Sequence, residues 1–282
     1  MKPCDGGAPA KVIIDSHLHC GVQHVSWGWE ESEPLLRAAG IQGAVLIPPV
    51  EDIYERFNPR FTDTPAWQKC RRRAHRYILD LKNSRGGAPM YAPGNFGRTP
   101  GFAPRNELEI FPYFFVWNDF AWEDLGPDYV GIKWHRHADE PQYHYGDPRC
   151  REFLEVVRAR KLPILLEETF RNTMFFLENL ASHIRVIIPH LGALSGGYRE
   201  FVRAGVWEQP LIYADMAVAP LADIEDYLGR YGSRRLLFGS DYPFSRPQTE
   251  LDKIMGLKLP EGDTRAILGD NFRRLCGLAR VR

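Results

Sequence analysis

No apolar run in the 282-residue sequence approaches the roughly 18 to 20 residues that a membrane-spanning helix needs, and the opening MKPCDGGAPAK lacks the apolar stretch of a signal peptide. A surplus of charge is missing too. The 36 Lys and Arg balance the 36 Asp and Glu, so no global field draws the chain to nucleic acid or to an anionic membrane, and the local run Arg71-Arg72-Arg73 reads as a solvated helix face. Cysteine is scarce: Cys4, Cys20, Cys70, Cys150 and Cys276 are odd in number, scattered and without a C-x-x-C pair, which fits reduced thiols better than a disulfide frame or a zinc knuckle. No repeat, low-complexity tract or Pro-rich linker marks a domain break. These absences lead us to expect a cytoplasmic protein with no nucleic-acid or membrane partner and a single domain over residues 1–282, with a homodimer left open.

What is present is a regular alternation. Apolar runs at Val12–Ile14, Gly43–Ile47, Tyr113–Trp117, Tyr129–Lys133, Pro163–Leu166, Val186–Ile188, Leu211–Tyr213 and Leu236–Phe238 read as strands buried on both faces. Helical patterns separate them, after Ser32 and over Ala66–Asn83, Pro148–Arg160, Phe170–Ala181, Tyr198–Ala204 and Ala222–Tyr231, with a closing helix at Thr264–Leu275. Eight strand-helix units of about 35 residues predict an α/β chain folded as a (β/α)8 TIM barrel. Three irregular insertions interrupt it. Pro48–Pro65 and Arg136–Asp147 follow strands and are candidate pocket walls, whereas Gly86–Pro112 enters a strand from the opposite face and reads as structural or interfacial.

The chemistry-bearing residues sit at strand ends. VIIDSHLHCG closes the first strand with His17 and His19, two residues apart and so on one face, able to grip one metal ion. The pair alone is weak, because nine histidines in 282 residues yield roughly 0.3 such pairs by chance. Its position strengthens it. RVIIPHLGA places His190 after the sixth strand and RLLFGSDYPF places Asp241 after the eighth, and polar groups on three separate strand ends converge only if the sheet closes. Such a cluster suits zinc, manganese or iron.

H-x-H after strand one, His in a PHLGA context after strand six, and Asp in FGSDYPF after strand eight resemble the amidohydrolase superfamily, in its amidohydrolase-related branch with aminocarboxymuconate-semialdehyde decarboxylase. The similarity runs from Val12 to about Leu275 and includes the closing ILGDNFRRLCG. The resemblance implies a barrel with a metal-activated water, His17 and His19 as ligands, and Asp241 as ligand and proton shuttle, with His190 beside it as ligand and carbonyl-polarising group. It implies a hydrolase that cleaves an ester, lactone or amide in a small carboxylate-bearing substrate. A nonoxidative decarboxylase of an aromatic or muconate-type acid is the alternative, and a metal-free ligand-binding barrel is the alternative of another class. One divalent ion is expected, zinc before manganese or iron, with two remaining open.

One departure stands out. LPILLEET puts Glu167 where the branch has a metal-binding His after strand five. A carboxylate also binds these metals, so Glu167 is expected as a substituted ligand; the other reading is a carboxylate held by Lys133 or an Arg in a metal-free site. In YVGIKWHRHADE, Lys133 and His135 share a face. Lys133 either bridges two ions as a carboxylated lysine or, as we favour, pairs with a carboxylate or the substrate, and His135 supports the site or completes a second metal position. Trp27 and Trp29 after strand one, and Tyr143, His144 and Tyr145 after strand four, would line an aromatic entrance or pack internally. Arg136, Arg171 and Arg246 lie just beyond strand ends, where any of them suits a substrate carboxylate. Asp215, after LIYA, would touch substrate or cap a helix.

Overall fold

In a computed structural model, residues 12–86 and 108–278 are described. The stretch from Gly86 to Pro112 thus falls mostly outside the described residues. Eight strands run β1 (Ile14–Asp15), β2 (Gly43–Leu46), β3 (Glu109–Phe115), β4 (Gly131–His135), β5 (Ile164–Glu167), β6 (Val186–Ile188), β7 (Ile212–Asp215) and β8 (Leu236–Leu237). Each pairs in parallel with the next. The last meets the first just past the strands proper: Ser16 N–H donates to the Phe238 carbonyl at 2.9 Å, Asp241 N–H to that of His17 at 2.7 Å and His19 N–H to that of Tyr242 at 2.9 Å. The result is a (β/α)8 barrel.

Helices α1 (Trp29–Ala38), α2 (Pro65–Gly86), α3 (Pro148–Ala159), α4 (Phe170–Asn179), α5 (Tyr198–Arg203), α6 (Leu221–Tyr231) and α7 (Pro247–Gly256) surround it, followed by a helical run from Glu261 to Cys276. Local sequence explains several boundaries. Asp147 accepts from Arg149 N–H at 2.8 Å ahead of Pro148, which starts α3. Ser32 lies inside α1 rather than before it, because its hydroxyl bonds back to the Gly28 carbonyl at 3.0 Å instead of capping. Strand β3 starts at Glu109, ahead of the expected Tyr113, and accommodates Pro112, whose carbonyl still accepts from Val130 N–H at 3.0 Å. Helix α7 was not foreseen, since PQTELDKIMG buries only Pro247, Glu250, Leu251 and Ile254 and carries a weak apolar stripe.

Strand alternation sorts side chains between the barrel interior and the helix layer. On β4, Trp134 packs outward against Phe153 of α3 and Phe176 of α4, at ring separations of 6.2 and 5.0 Å. Lys133 and His135 point inward, toward the polar mouth. Lower in the barrel the Tyr113 ring lies across Gly131, where a methyl group would stand 2.3 Å from the ring. Both residues are buried, so Gly131→Ala forces the ring aside and should cost about 1 to 3 kcal/mol. A thermal or urea melt checks this, and an unchanged midpoint would refute the close contact.

Candidate metal centre

His17 and His19 leave β1 on the same side, and two strand-end groups fix the first of them. The His17 Nδ1–H donates to Asp215 Oδ2 at the end of β7, 2.7 Å away, with both side chains fully buried. The Nε2 lone pair is therefore turned into the barrel mouth. Burial, helped by Lys133, holds the His17 imidazole well below its usual pKa, so it is neutral. Asp241, at a left-handed φ of 53°, presents Oδ1 3.3 Å from His17 Nε2 and 3.3 Å from His19 Nε2. Burial opposes its charge, yet His17, His19 and His190 keep its carboxyl below the ordinary value.

His190 arrives from the loop after β6, where His190, Leu191 and Gly192 take successive left-handed φ values of 56°, 52° and 80°. Its Nδ1 sits 2.8 Å from the Ala217 carbonyl, which fixes that nitrogen as the donor. Its buried Nε2 has no hydrogen-bond partner and lies 3.7 Å from Glu167 Oε1 and 3.8 Å from Asp241 Oδ2. Burial alone would lower its pKa, but Glu167 and then Asp241 carry it up to about 9.

Glu167 is gripped on both oxygens. Lys133 Nζ donates to Oε2 at 2.7 Å and more weakly to His17 Nε2 at 3.1 Å, and His137 Nε2 lies 2.8 Å from Oε1. Arg56 Nη2 is 3.1 Å from His137 Nδ1, and a guanidinium can only donate, so the His137 proton resides on Nε2 and points at Glu167. Burial disfavours the Glu167 charge, but Lys133 foremost holds its carboxyl well below the carboxylate range. His135 faces the same carboxylate, with Nε2 3.6 Å from Oε1 and Nδ1 3.2 Å from the Tyr54 hydroxyl.

Above these groups opens a cavity of about 220 Å³. Its polar floor is made by His19, His135, His137, Glu167, His190 and Asp241, its apolar wall includes Leu194, Val218 and Phe244, and Arg56 reaches it from the loop after β2. The expected substrate contacts lie elsewhere. Strand parity turns Arg136 outward, where it pairs with buried Glu168 at 3.3 Å, and Tyr143 packs beside Trp117 and Trp134 with its hydroxyl on the Val116 carbonyl at 2.8 Å. Arg246 precedes α7 and Trp27 stands half exposed; neither lines the cavity. Arg56 and His137 were missed, although His135-Arg136-His137 repeats the H-x-H spacing after a strand and the loop after β2 was already a candidate wall. Asp215 turns out to orient His17 rather than to meet substrate.

The donors suit a divalent ion. Separations of 3.3 Å match the edge of a tetrahedron built on metal-ligand bonds of about 2.0 to 2.2 Å, and His17, His190 and Asp241 each offer an atom within 4.8 Å of the others. The orphaned His190 Nε2 is the buried polar atom such an ion would satisfy. Lys133 competes for the His17 lone pair, but its shorter bond is to Glu167.

A family model described as Amidohydrolase matches residues 121–278, more than half of the sequence. The chain belongs to the amidohydrolase family. No curated protein matches it. Among solved structures, a 2,6-dihydroxybenzoate decarboxylase with bound 2,6-dihydroxybenzoate is similar at TM-score 0.67 and 15% identity, covering 95% of this chain and 100% of that one. A protein of Pseudomonas putida assigned as a 2-pyrone-4,6-dicarboxylic acid hydrolase is similar at TM-score 0.63 and 15% identity, covering 95% and 98%. A dihydroxybenzoic acid decarboxylase of Polaromonas sp. JS666, with manganese and 2-nitroresorcinol bound, is similar at TM-score 0.65 and 12% identity, covering 96% and 98%. At such identities the likeness concerns the barrel. The family match begins past β3, so the roles of His17 and His19 rest on the geometry above.

Asp215 uses both oxygens, Oδ2 for His17 and Oδ1 for Ala217 N–H at 2.6 Å. Asp215→Asn leaves one acceptor for two donors, so the affinity of the centre for a divalent metal should weaken about 10- to 100-fold. Chelator-competition titration measures it, and wild-type affinity in the variant would show that Asp215 does not orient a ligand.

Proposed function

We propose that this amidohydrolase is a metal-dependent hydrolase acting on an ester, lactone or amide bond in a small carboxylate-bearing substrate. The observation that carries this reading is the placement of Asp241. One carboxylate oxygen faces two imidazole nitrogens at 3.3 Å, and the other faces the cavity beside His190. His17, His19, Glu167, His190 and Asp241 would hold one divalent ion. Three imidazoles favour zinc, and the carboxylates also accept manganese or iron. Bound there, the ion supplies Lewis acidity and a water of lowered pKa. Asp241 takes the proton of the attacking water at its free oxygen and returns it to the leaving oxygen or nitrogen, so the carboxylate ends the cycle as it began. The cavity of about 220 Å³ admits a body of about one ring, its apolar wall excludes water from that body, and Arg56 offers the substrate carboxylate a cation.

The second reading, a nonoxidative decarboxylase, is favoured by a different observation. His190 is held up to about 9 when its Nε2 is free, which makes it a proton source for a ring carbon as carbon dioxide leaves. A panel of lactones, esters and aromatic carboxylates, assayed with the reconstituted protein for acid release and for carbon dioxide, separates the two.

Asp241→Asn preserves shape but removes the proton acceptor, so turnover should fall at least about 100-fold with metal partly retained. Near-normal turnover would remove Asp241 from the mechanism. Glu167→Ala tests the departure on β5: it should lose most of the metal, since an open site with fewer donors binds more weakly. Full metal occupancy combined with a lowered melting temperature would make Glu167 only the counter-ion of Lys133, left unpaired in a buried setting.

A further inference from the structure

Helix α7 lies outside the cavity, yet a buried carboxylate on it reaches the loops after both β7 and β8. Glu250, 1% exposed, accepts the Val218 N–H with Oε2 at 3.2 Å and the Ser245 hydroxyl with Oε1 at 2.7 Å. Lys253 donates to both of its oxygens, at 3.0 and 2.8 Å, and to the Ala219 carbonyl at 3.1 Å. Val218 is at φ 56°, an uncommon place for a β-branched residue, inside a turn closed by Ala219 N–H on the Met216 carbonyl at 3.0 Å. A strained residue of this kind persists only where its surroundings over-determine it. The same turn carries the Ala217 carbonyl that meets His190 Nδ1 at 2.8 Å, and Val218 and Phe244, next to Ser245, both line the cavity.

We propose that Glu250 is a positioning residue of the active centre: from α7 it clamps the strained Val218 turn, and through the Ala217 carbonyl that turn holds the Nδ1–H of His190 and turns its Nε2 to the cavity. Glu250 touches neither the cavity nor the cluster, and it acts through two backbone groups. The role is distinct from simple packing, because what it transmits is the orientation of one imidazole ring.

The test uses the full chain labelled with [15N]histidine. In wild type the metal-free His190, charged or neutral, holds an Nδ1–H on the Ala217 carbonyl, seen in the downfield shift and slow exchange of that proton. Glu250→Ala should lose that signature while remaining folded by circular dichroism. Glu250→Gln should retain it, since one amide oxygen still accepts from Val218 and the amide N–H can reach Ser245. A second readout rests on the metal-binding reading above. The Kd for zinc, by chelator competition, should rise roughly 10-fold or more in Glu250→Ala and stay near wild type in Glu250→Gln. Glycine tolerates the turn without a clamp, so Val218→Gly combined with Glu250→Ala should recover the His190 signature. A folded Glu250→Ala with an unchanged His190 signature overturns the proposal, and so does a double variant that fails to recover it. If Glu250→Ala does not fold, the double variant alone decides, by folding with the wild-type signature or failing to. Zinc binding to none of the proteins would dismiss the metal reading while the His190 signature still judges Glu250.

Discussion

The barrel mouth depends on how β8 meets β1. The Asp241 N–H donates to the His17 carbonyl at 2.7 Å, so a residue near the end of the chain and one near its beginning share a single main-chain bond. That bond closes the sheet and removes its edges, as any barrel requires. It also brings the Asp241 carboxylate to both imidazoles of the H-x-H pair, because side chains issuing from adjacent strand ends have nowhere else to go. Asp241 takes a left-handed φ to make the turn, a conformation that aspartate tolerates better than most residues.

Around this junction the interior holds charge in a continuous order. Asp215 meets His17, His17 meets Lys133, Lys133 meets Glu167, Glu167 meets His137, His137 meets Arg56, and Arg56 meets Glu140. Each donor finds an acceptor, which is how charge is tolerated where water is scarce. Asp15, beneath the pair, accepts from His17 N–H at 3.2 Å and from Ser240 N–H at 2.9 Å, yet burial still pushes its carboxyl up to about 7. The polar order stops beneath the cavity, where His190 Nε2 is buried without a partner.

A barrel of this kind supports unrelated reactions, since chemistry lies in the loops rather than in the strands. The structural relatives illustrate it: decarboxylases and an assigned pyrone dicarboxylic acid hydrolase share the frame at 12 to 15% identity. In this chain the mouth is furnished by Glu167 at the end of β5 and by the loop after β2 that delivers Arg56. Leu194, Val218 and Phe244 add its apolar wall.

The order of strands and helices was legible in the sequence, because strands buried on both faces are apolar without interruption and the spacing between them repeats. So was the convergence of His17, His19, His190 and Asp241, since each comes within a few residues of the end of an apolar run, and a closed parallel sheet gathers such positions at one mouth. The ion pair of Lys133 with Glu167 was legible as one of two readings. Not legible were the directions of Arg136, just past β4, and of Tyr143, in the loop beyond it, both turned away from the cavity by their packing, nor the partner of Asp215, which is set by a residue 198 positions away. Arg56 and Glu250 come from a loop and from a weakly amphipathic helix, where no periodicity fixes direction. Only packing in three dimensions decides what such side chains reach.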